Sequence, residues 1–204
     1  DFDWLHILGI TILMIVFPIL VLIMYKIHLG MQQKNYLKRK KLYQLANFDR
    51  LTGLANRFHF EDFGDRILST AKRNQTQVGV FFIDLNGFKL INDNLGHAIG
   101  DIVLRRVADT LLNNVRQGDI VARIGGDEFS ILAAPMPNLK SLMSMLNNIR
   151  EAIAGMNIIE TQEYKISCSI GFSYTEYHDY NLLELLKVAD NSMYGEKQEH
   201  YKRT

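Results

Sequence analysis

The chain has 204 residues, a formal net charge of +1 and 48% hydrophobic residues. That length holds one globular domain and a further segment, since a domain takes roughly 100–200 residues. The balanced charge and the lack of a recognisable nucleic-acid module exclude nucleic acid as the partner, and the single Cys168 excludes an intramolecular disulfide, as suits a reducing cytosol.

Residues 4–25 form an apolar run interrupted only by His6, Gly9, Thr11 and Pro18, with no Lys, Arg or carboxylate. About 20 such residues cross a bilayer, so a single transmembrane helix is predicted, kinked at Pro18. A cleaved signal peptide would place its basic residues first, whereas here Asp1 and Asp3 precede the run and Lys26 follows it. Lys26, Lys34, Lys38, Arg39, Lys40 and Lys41 all lie downstream, which orients the C-terminal side to the cytoplasm and predicts a single-pass protein of the inner membrane. With three residues ahead of the span and no initiator Met, the chain is expected to be a piece of a longer receptor, or a processed product, with its sensor upstream. Residues 26–47 are basic and rich in helix formers, which predicts a helical stalk. Ile27, Leu29, Leu37, Leu42 and Leu45 are spaced too irregularly to specify a coiled coil.

The domain proper is expected over 48–204, with helices and strands alternating. Phe60, Phe63, Ile67 and Ala71 share one helical face, and Val78–Ile83 is a continuous apolar run of strand type, short enough to be buried on both sides. A helix follows over His97–Asn113, then two strands over Ile120–Ile124 and Glu128–Leu132, turned at Gly125 and Gly126 as a hairpin. Leu139, Leu142, Leu146, Ile149 and Ile153 stripe a third helix. Ile166, Cys168, Ile170, Phe172 and Tyr174 alternate along one strand face, which makes Cys168 an ordinary core residue. A last helix buries Leu182, Leu185, Leu186, Ala189 and Met193 and ends near Lys197. This order predicts an α+β domain of ferredoxin-like type, an antiparallel-containing central sheet with its helices on one face.

Asp84 ends the buried apolar strand, which alone is an ordinary place for a carboxylate. The Asp127-Glu128 pair sits in the Gly-Gly turn, where backbone can approach a ligand closely. Should the two central strands be neighbours, Asp84 and Asp127 meet, and two adjacent carboxylates repel unless a divalent cation lies between them. Such a pair suits metal-assisted phosphoryl transfer.

The segment Gly125-Gly126-Asp127-Glu128-Phe129, preceded by Arg123 and Ile124, resembles the signature of the GGDEF-domain diguanylate cyclases. So do an opening turn with Asp49, Leu51, Thr52, Gly53, Leu54, Asn56 and Arg57, and the segment Asp84–Asp101. The likeness runs from Asp49 to Lys197. It implies a nucleotidyl-cyclase-type fold and condensation of two GTP into cyclic di-GMP with release of pyrophosphate, in a homodimer whose two half-sites face each other. It also implies Mg²⁺ (or Mn²⁺) on Asp84, the Leu85 carbonyl and Asp127, with Glu128 as a supporting acid and Lys197 on phosphate. Backbone amides of Asn86, Gly87 and Phe88 would cradle the phosphates, as successive N–H groups do, and Asn92 and Asp101 would read guanine, whose donors and acceptor they complement. Arg116 and Asp119 would bind product as an inhibitor.

Blander roles stand beside these: Asn92 and Asp101 as helix caps, Lys197 as a solvated helix end, His97 as structural. The family's C-terminal Arg is replaced by Tyr201, which Arg203 could offset, and Gly87 stands where an aromatic is frequent, which is expected to loosen the phosphate turn. The competing function is a receptor module that holds GTP or cyclic di-GMP without catalysing.

Overall fold

A computed structural model describes residues 3–156, 166–176 and 179–203, and the chain divides into two compact units, Asp1–Leu45 and Ala46–Thr204. A single helix, α1 (Trp4–Asn47), covers both the apolar run and the basic stretch. It is long and apolar enough to cross a membrane. Its polar interruption at Thr11 is satisfied internally, the hydroxyl donating to the Ile7 carbonyl at 2.8 Å.

The second unit follows as β1 (Ala55–Asn56), α2 (Arg57–Asn74), β2 (Gly79–Asn86), α3 (Phe88–Leu95), α4 (His97–Asn113), β3 (Ile120–Arg123), β4 (Glu128–Ala133), α5 (Leu139–Ala154), β5 (Ser167–Tyr174) and α6 (Leu182–Arg203). Among the described residues, five strands form one sheet in the order β1-β3-β4-β2-β5. Only β1 and β3 pair in parallel; the β3–β4, β4–β2 and β2–β5 ladders are antiparallel.

The expected helices and strands are present, α4 with the expected bounds. β2 runs three residues beyond Ile83 because Asp84, Leu85 and Asn86 pair with Ser169, Cys168 and Ser167 of β5, so Asp84 lies inside a strand rather than at its end. Two elements carried no readable pattern: β1, at two residues, and α3, at eight. In α2 the inward stripe is Phe60, Gly64, Leu68 and Ala71, and Phe63, expected inside, is 43% exposed. Small Gly64 rather than Phe63 faces the core because Leu182 of α6 and Leu132 pack directly against it.

Helices cover both faces of the sheet, not one. Phe81, Ile83 and Leu85 pack with α3, α4 and α5 in the larger core, whereas Val80 packs with α2 and α6 and Phe82 with Ala189 and Met193 of α6. The expected face of β5 does point into the larger core, but Ser169, Gly171 and Ser173 on its other side are also buried. They are small because α6 lies on them: a methyl on Gly171 would run into the Ala189 carbonyl oxygen and the Met193 amide nitrogen.

Cys168 is 6% exposed within the larger core, and burial pushes its thiol up to about 12. The thiolate is the reactive form. The folded chain is therefore expected to resist iodoacetamide at pH 8 and to alkylate promptly once denatured, which mass spectrometry checks.

Candidate active site

The antiparallel β2–β4 ladder sets Asp84 opposite Glu128, and the Leu85 amide donates to the Asp127 carbonyl at 3.3 Å. The acidic turn thus closes over the C-terminal end of β2, bringing Asp84, Asp127 and Glu128 together as expected. The N–H and C=O of one strand residue point to the same side, so the Leu85 carbonyl faces this turn too. Asp84 is 5% exposed and accepts from Lys197 Nζ of α6 at 2.7 Å. Lys197 is therefore engaged at the carboxylates and is not merely a solvated helix end.

Negative charge is concentrated here. Burial and then the Asp84 carboxylate push the Asp127 carboxyl above its ordinary range, against Lys197 and Arg123. Burial, then Asp84, Asp127 and Asp190, push Glu128 up as well, while Arg57 opposes them. Among the described residues no three His, Cys, Asp or Glu side chains group to hold a metal. Two carboxylates and a strand carbonyl are nonetheless the oxygen donors that fit Mg²⁺, which normally completes its shell with water and substrate phosphate.

Beyond Leu85 the chain turns. The Asn86 side chain is tied to β5, donating to Ser167 Oγ at 3.2 Å and accepting from Ser169 Oγ at 2.9 Å. Gly87 has φ +72°, a left-handed backbone that a side chain would strain, so glycine suits this turn rather than loosening it. Phe88 opens α3, where the first N–H groups have no helical acceptor.

Asn92 lies in the last turn of α3 and Asp101 a full turn inside α4, so neither caps a helix. The space above Gly100 is filled by Asn92 Oδ1, which brings Asn92 up against the residue next to Asp101. That oxygen is buried with no hydrogen-bond partner, a costly state for an amide. His97 is exposed at the start of α4. The side chains of Tyr201 and Arg203 lie outside the described residues.

Arg116 and Asp119 stand apart, on a cleft of about 420 Å³ also lined by Lys140, Ser141 and Asn148. The Asp119 carboxylate accepts from the Arg116 amide at 2.9 Å and the Ala134 amide at 3.3 Å, while burial pushes its pKa up.

One connection had no signal in residue order. Arg123 donates to the Gly126 carbonyl at 3.0 and 2.7 Å and to both oxygens of Asp49 at 3.1 and 3.2 Å. Asp49 also accepts from the Thr52 amide and hydroxyl. Burial works to raise the Asp49 pKa, but the bonds from Thr52 and Arg123 together outweigh it and hold the carboxyl below its ordinary range. A depressed carboxyl pKa contributes stability that is complete above the unfolded value and lost as pH falls through the folded one. Arg123→Ala is thus expected to cost about 1–2 kcal/mol at pH 7. Urea unfolding should show that difference shrinking as pH falls below about 4.

Relatives carry the same domain. The diguanylate cyclase TpbB of Pseudomonas aeruginosa is 37% identical over 155 residues, covering 76% of this chain and 36% of TpbB. The probable diguanylate cyclase DgcE of Escherichia coli K12 is 36% identical over 163 residues, covering 78% of this chain and 15% of DgcE. The chain thus spans about a third or less of the length of these relatives. Among solved structures, the GGDEF domain of TpbB superposes with a TM-score of 0.71 at 37% identity, covering 74% of this chain and 89% of that one. The coiled coil and GGDEF domain of DgcB from Caulobacter crescentus, in complex with c-di-GMP, gives 0.76 at 25% identity, covering 84% and 91%. Residues 46–203 match the family described as diguanylate cyclase, GGDEF domain, which takes in all but the last residue of the second compact unit. With its acidic turn laid across the end of β2 and that whole unit matched, the chain belongs to the GGDEF-domain diguanylate cyclase family.

Proposed function

We propose that this chain is a diguanylate cyclase, joining two GTP into cyclic di-GMP and releasing two pyrophosphates. The observation that carries this reading is Asp84 beside the turn of Asp127, buried and mutually repelling. Repulsion of that kind favours a site that gains a cation. Asp84, the Leu85 carbonyl and Asp127 would hold Mg²⁺ or Mn²⁺, which supplies charge neutralisation at the transferring phosphoryl group. Dependence on a divalent cation is general among GGDEF diguanylate cyclases.

The remaining residues divide the work of binding. Asn92 and Asp101 receive guanine, the unpartnered Asn92 Oδ1 gaining a donor that offsets its burial. The amides at Asn86, Gly87 and Phe88 face phosphate at the start of α3. Lys197, already at the Asp84 carboxylate, is within reach of any phosphate carried there, and Glu128 lends its charge to the same region.

Each 3′-hydroxyl attacks the α-phosphate of the other nucleotide, so two protomers must face each other, and holding them together replaces a bimolecular encounter by a local one. A membrane span over residues 4–25 of α1, continued by the stalk at 26–47 of the same helix, would keep the domain at the cytoplasmic face and raise the frequency of that encounter. Product would bind at Arg116 and Asp119, where a guanidinium fork meets phosphate or guanine.

The deciding experiment incubates the detergent-solubilised chain with GTP and Mg²⁺ beside an Asp127→Ala variant. Cyclic di-GMP and pyrophosphate from the parent alone would support the proposal. No product from either, even when the chain is fused to a dimeric carrier, would replace it by the receptor-module function.

A further inference from the structure

Lys197 meets Asp84 across 113 residues of sequence, so its reach depends on how α6 is seated against the sheet. Gly171 sets the separation of α6 from β5, because the helix backbone lies directly on it. It does not set the rotation of the helix one turn further on, where Lys197 leaves it. There the preceding residue, Glu196, accepts from Arg150 Nη2 of α5 through both carboxylate oxygens at 2.9 Å. The same carboxylate accepts from the Ile170 amide of β5 at 3.4 Å, and Arg150 Nη1 also donates to Asn147 Oδ1 at 3.3 Å.

These contacts join three elements around one edge of the sheet. Among the described residues β5 is the outermost strand; α5 packs in the core on one side of it and α6 on the other. The anchored amide belongs to Ile170, next to Ser169, the residue paired with Asp84 itself. Arg150 thus grips α6 at the residue before Lys197, and the Glu196 it grips in turn holds β5 at the residue after the partner of Asp84.

We propose that Arg150 is a positioning residue for the reaction, holding Lys197 over Asp84 by way of Glu196; this rests on the cyclase function proposed above. An ordinary surface ion pair would leave catalysis untouched, whereas this one acts only through Lys197.

The test is a double-mutant cycle on the full chain, comparing Arg150→Ala, Lys197→Ala and the double variant in kcat and KM for GTP. Arg150→Ala is expected to lower kcat/KM about 2- to 5-fold, the scale of a half-exposed ion pair expressed as a rate. Lys197→Ala should lower it further, and the double variant should be no worse than Lys197→Ala alone, because coupled residues are not additive. Additive losses, or no loss from Arg150→Ala, would overturn the inference. Arg150→Met, which keeps the aliphatic stem, is judged by the same rule in case alanine loosens α5. Were the parent to make no cyclic di-GMP, the cyclase function would fail by itself, and the same cycle measured as calorimetric affinity for GTP with Mg²⁺ would still decide whether Arg150 acts through Lys197.

Discussion

Asp127→Asn is expected to lower cyclic di-GMP formation by about a thousandfold or more, the effect of losing several kcal/mol of charge stabilisation in the transition state, while raising the melting temperature of the cation-free protein. Both effects have one source. The Asp127 carboxyl is held above its ordinary pKa by burial and then by Asp84, so its ionised form opposes folding. For a raised carboxyl pKa the native state keeps its proton longer than the unfolded chain, and stability falls as pH rises from the unfolded value, about 3.9, through the folded one. Asparagine keeps the size and an acceptor oxygen but never ionises, so its advantage should be complete above that interval and vanish below it. Calorimetry at pH 7.5 and pH 3 with chelator, beside a chromatographic product assay, measures both halves. A variant that melts lower at pH 7.5 would mean that the carboxylate is favourably paired without a cation.

Gly171→Ala should be the most damaging small substitution in the domain. Its methyl would meet backbone atoms of α6 at Ala189 and Met193, and backbone cannot step aside as a flexible side chain can. Overpacking of this kind costs about 3 kcal/mol or more, a large share of the ~5–15 kcal/mol that holds a typical domain together. Product formation should fall as well, since α6 carries Lys197. Gly126→Ala is the control. It has open space around the added carbon, so stability should stay within about 0.5 kcal/mol. Urea unfolding of the two variants should separate them clearly; equal midpoints would mean that α6 is not seated on Gly171.

The elements that announced themselves were those whose buried positions carry large apolar residues. α4 alternates apolar and polar residues at helical spacing over its whole length and keeps its expected bounds. β2 is apolar from Gly79 to Ile83 because both of its faces are covered there, which a continuous run signals correctly. β5 misleads for the same physical reason: its second face is filled by Ser169, Gly171 and Ser173, and small residues under a helix look like a solvated face. That ambiguity turned a sheet covered on both sides into one covered on a single side. In the site, the acidic residues were legible because their turn is local and the β2–β4 pairing that joins them is simple. Arg123 with Asp49 and Arg150 with Glu196 were not, because each pair is fixed by tertiary packing, over 74 and 46 residues of separation, and neither spacing has a periodic signature.

The margins of the sheet also bear on how copies of this domain can associate. Among the described residues, β1 at one margin has only two residues, and at the other the Ile170 amide of β5 is already taken by the Glu196 carboxylate. Both features narrow what a foreign strand could extend, as natural sheets do to avoid fusing edge to edge. Two copies are therefore expected to meet through side chains rather than by merging their sheets. An encounter of that kind can form and dissolve without unfolding, as the proposed two-protomer reaction needs.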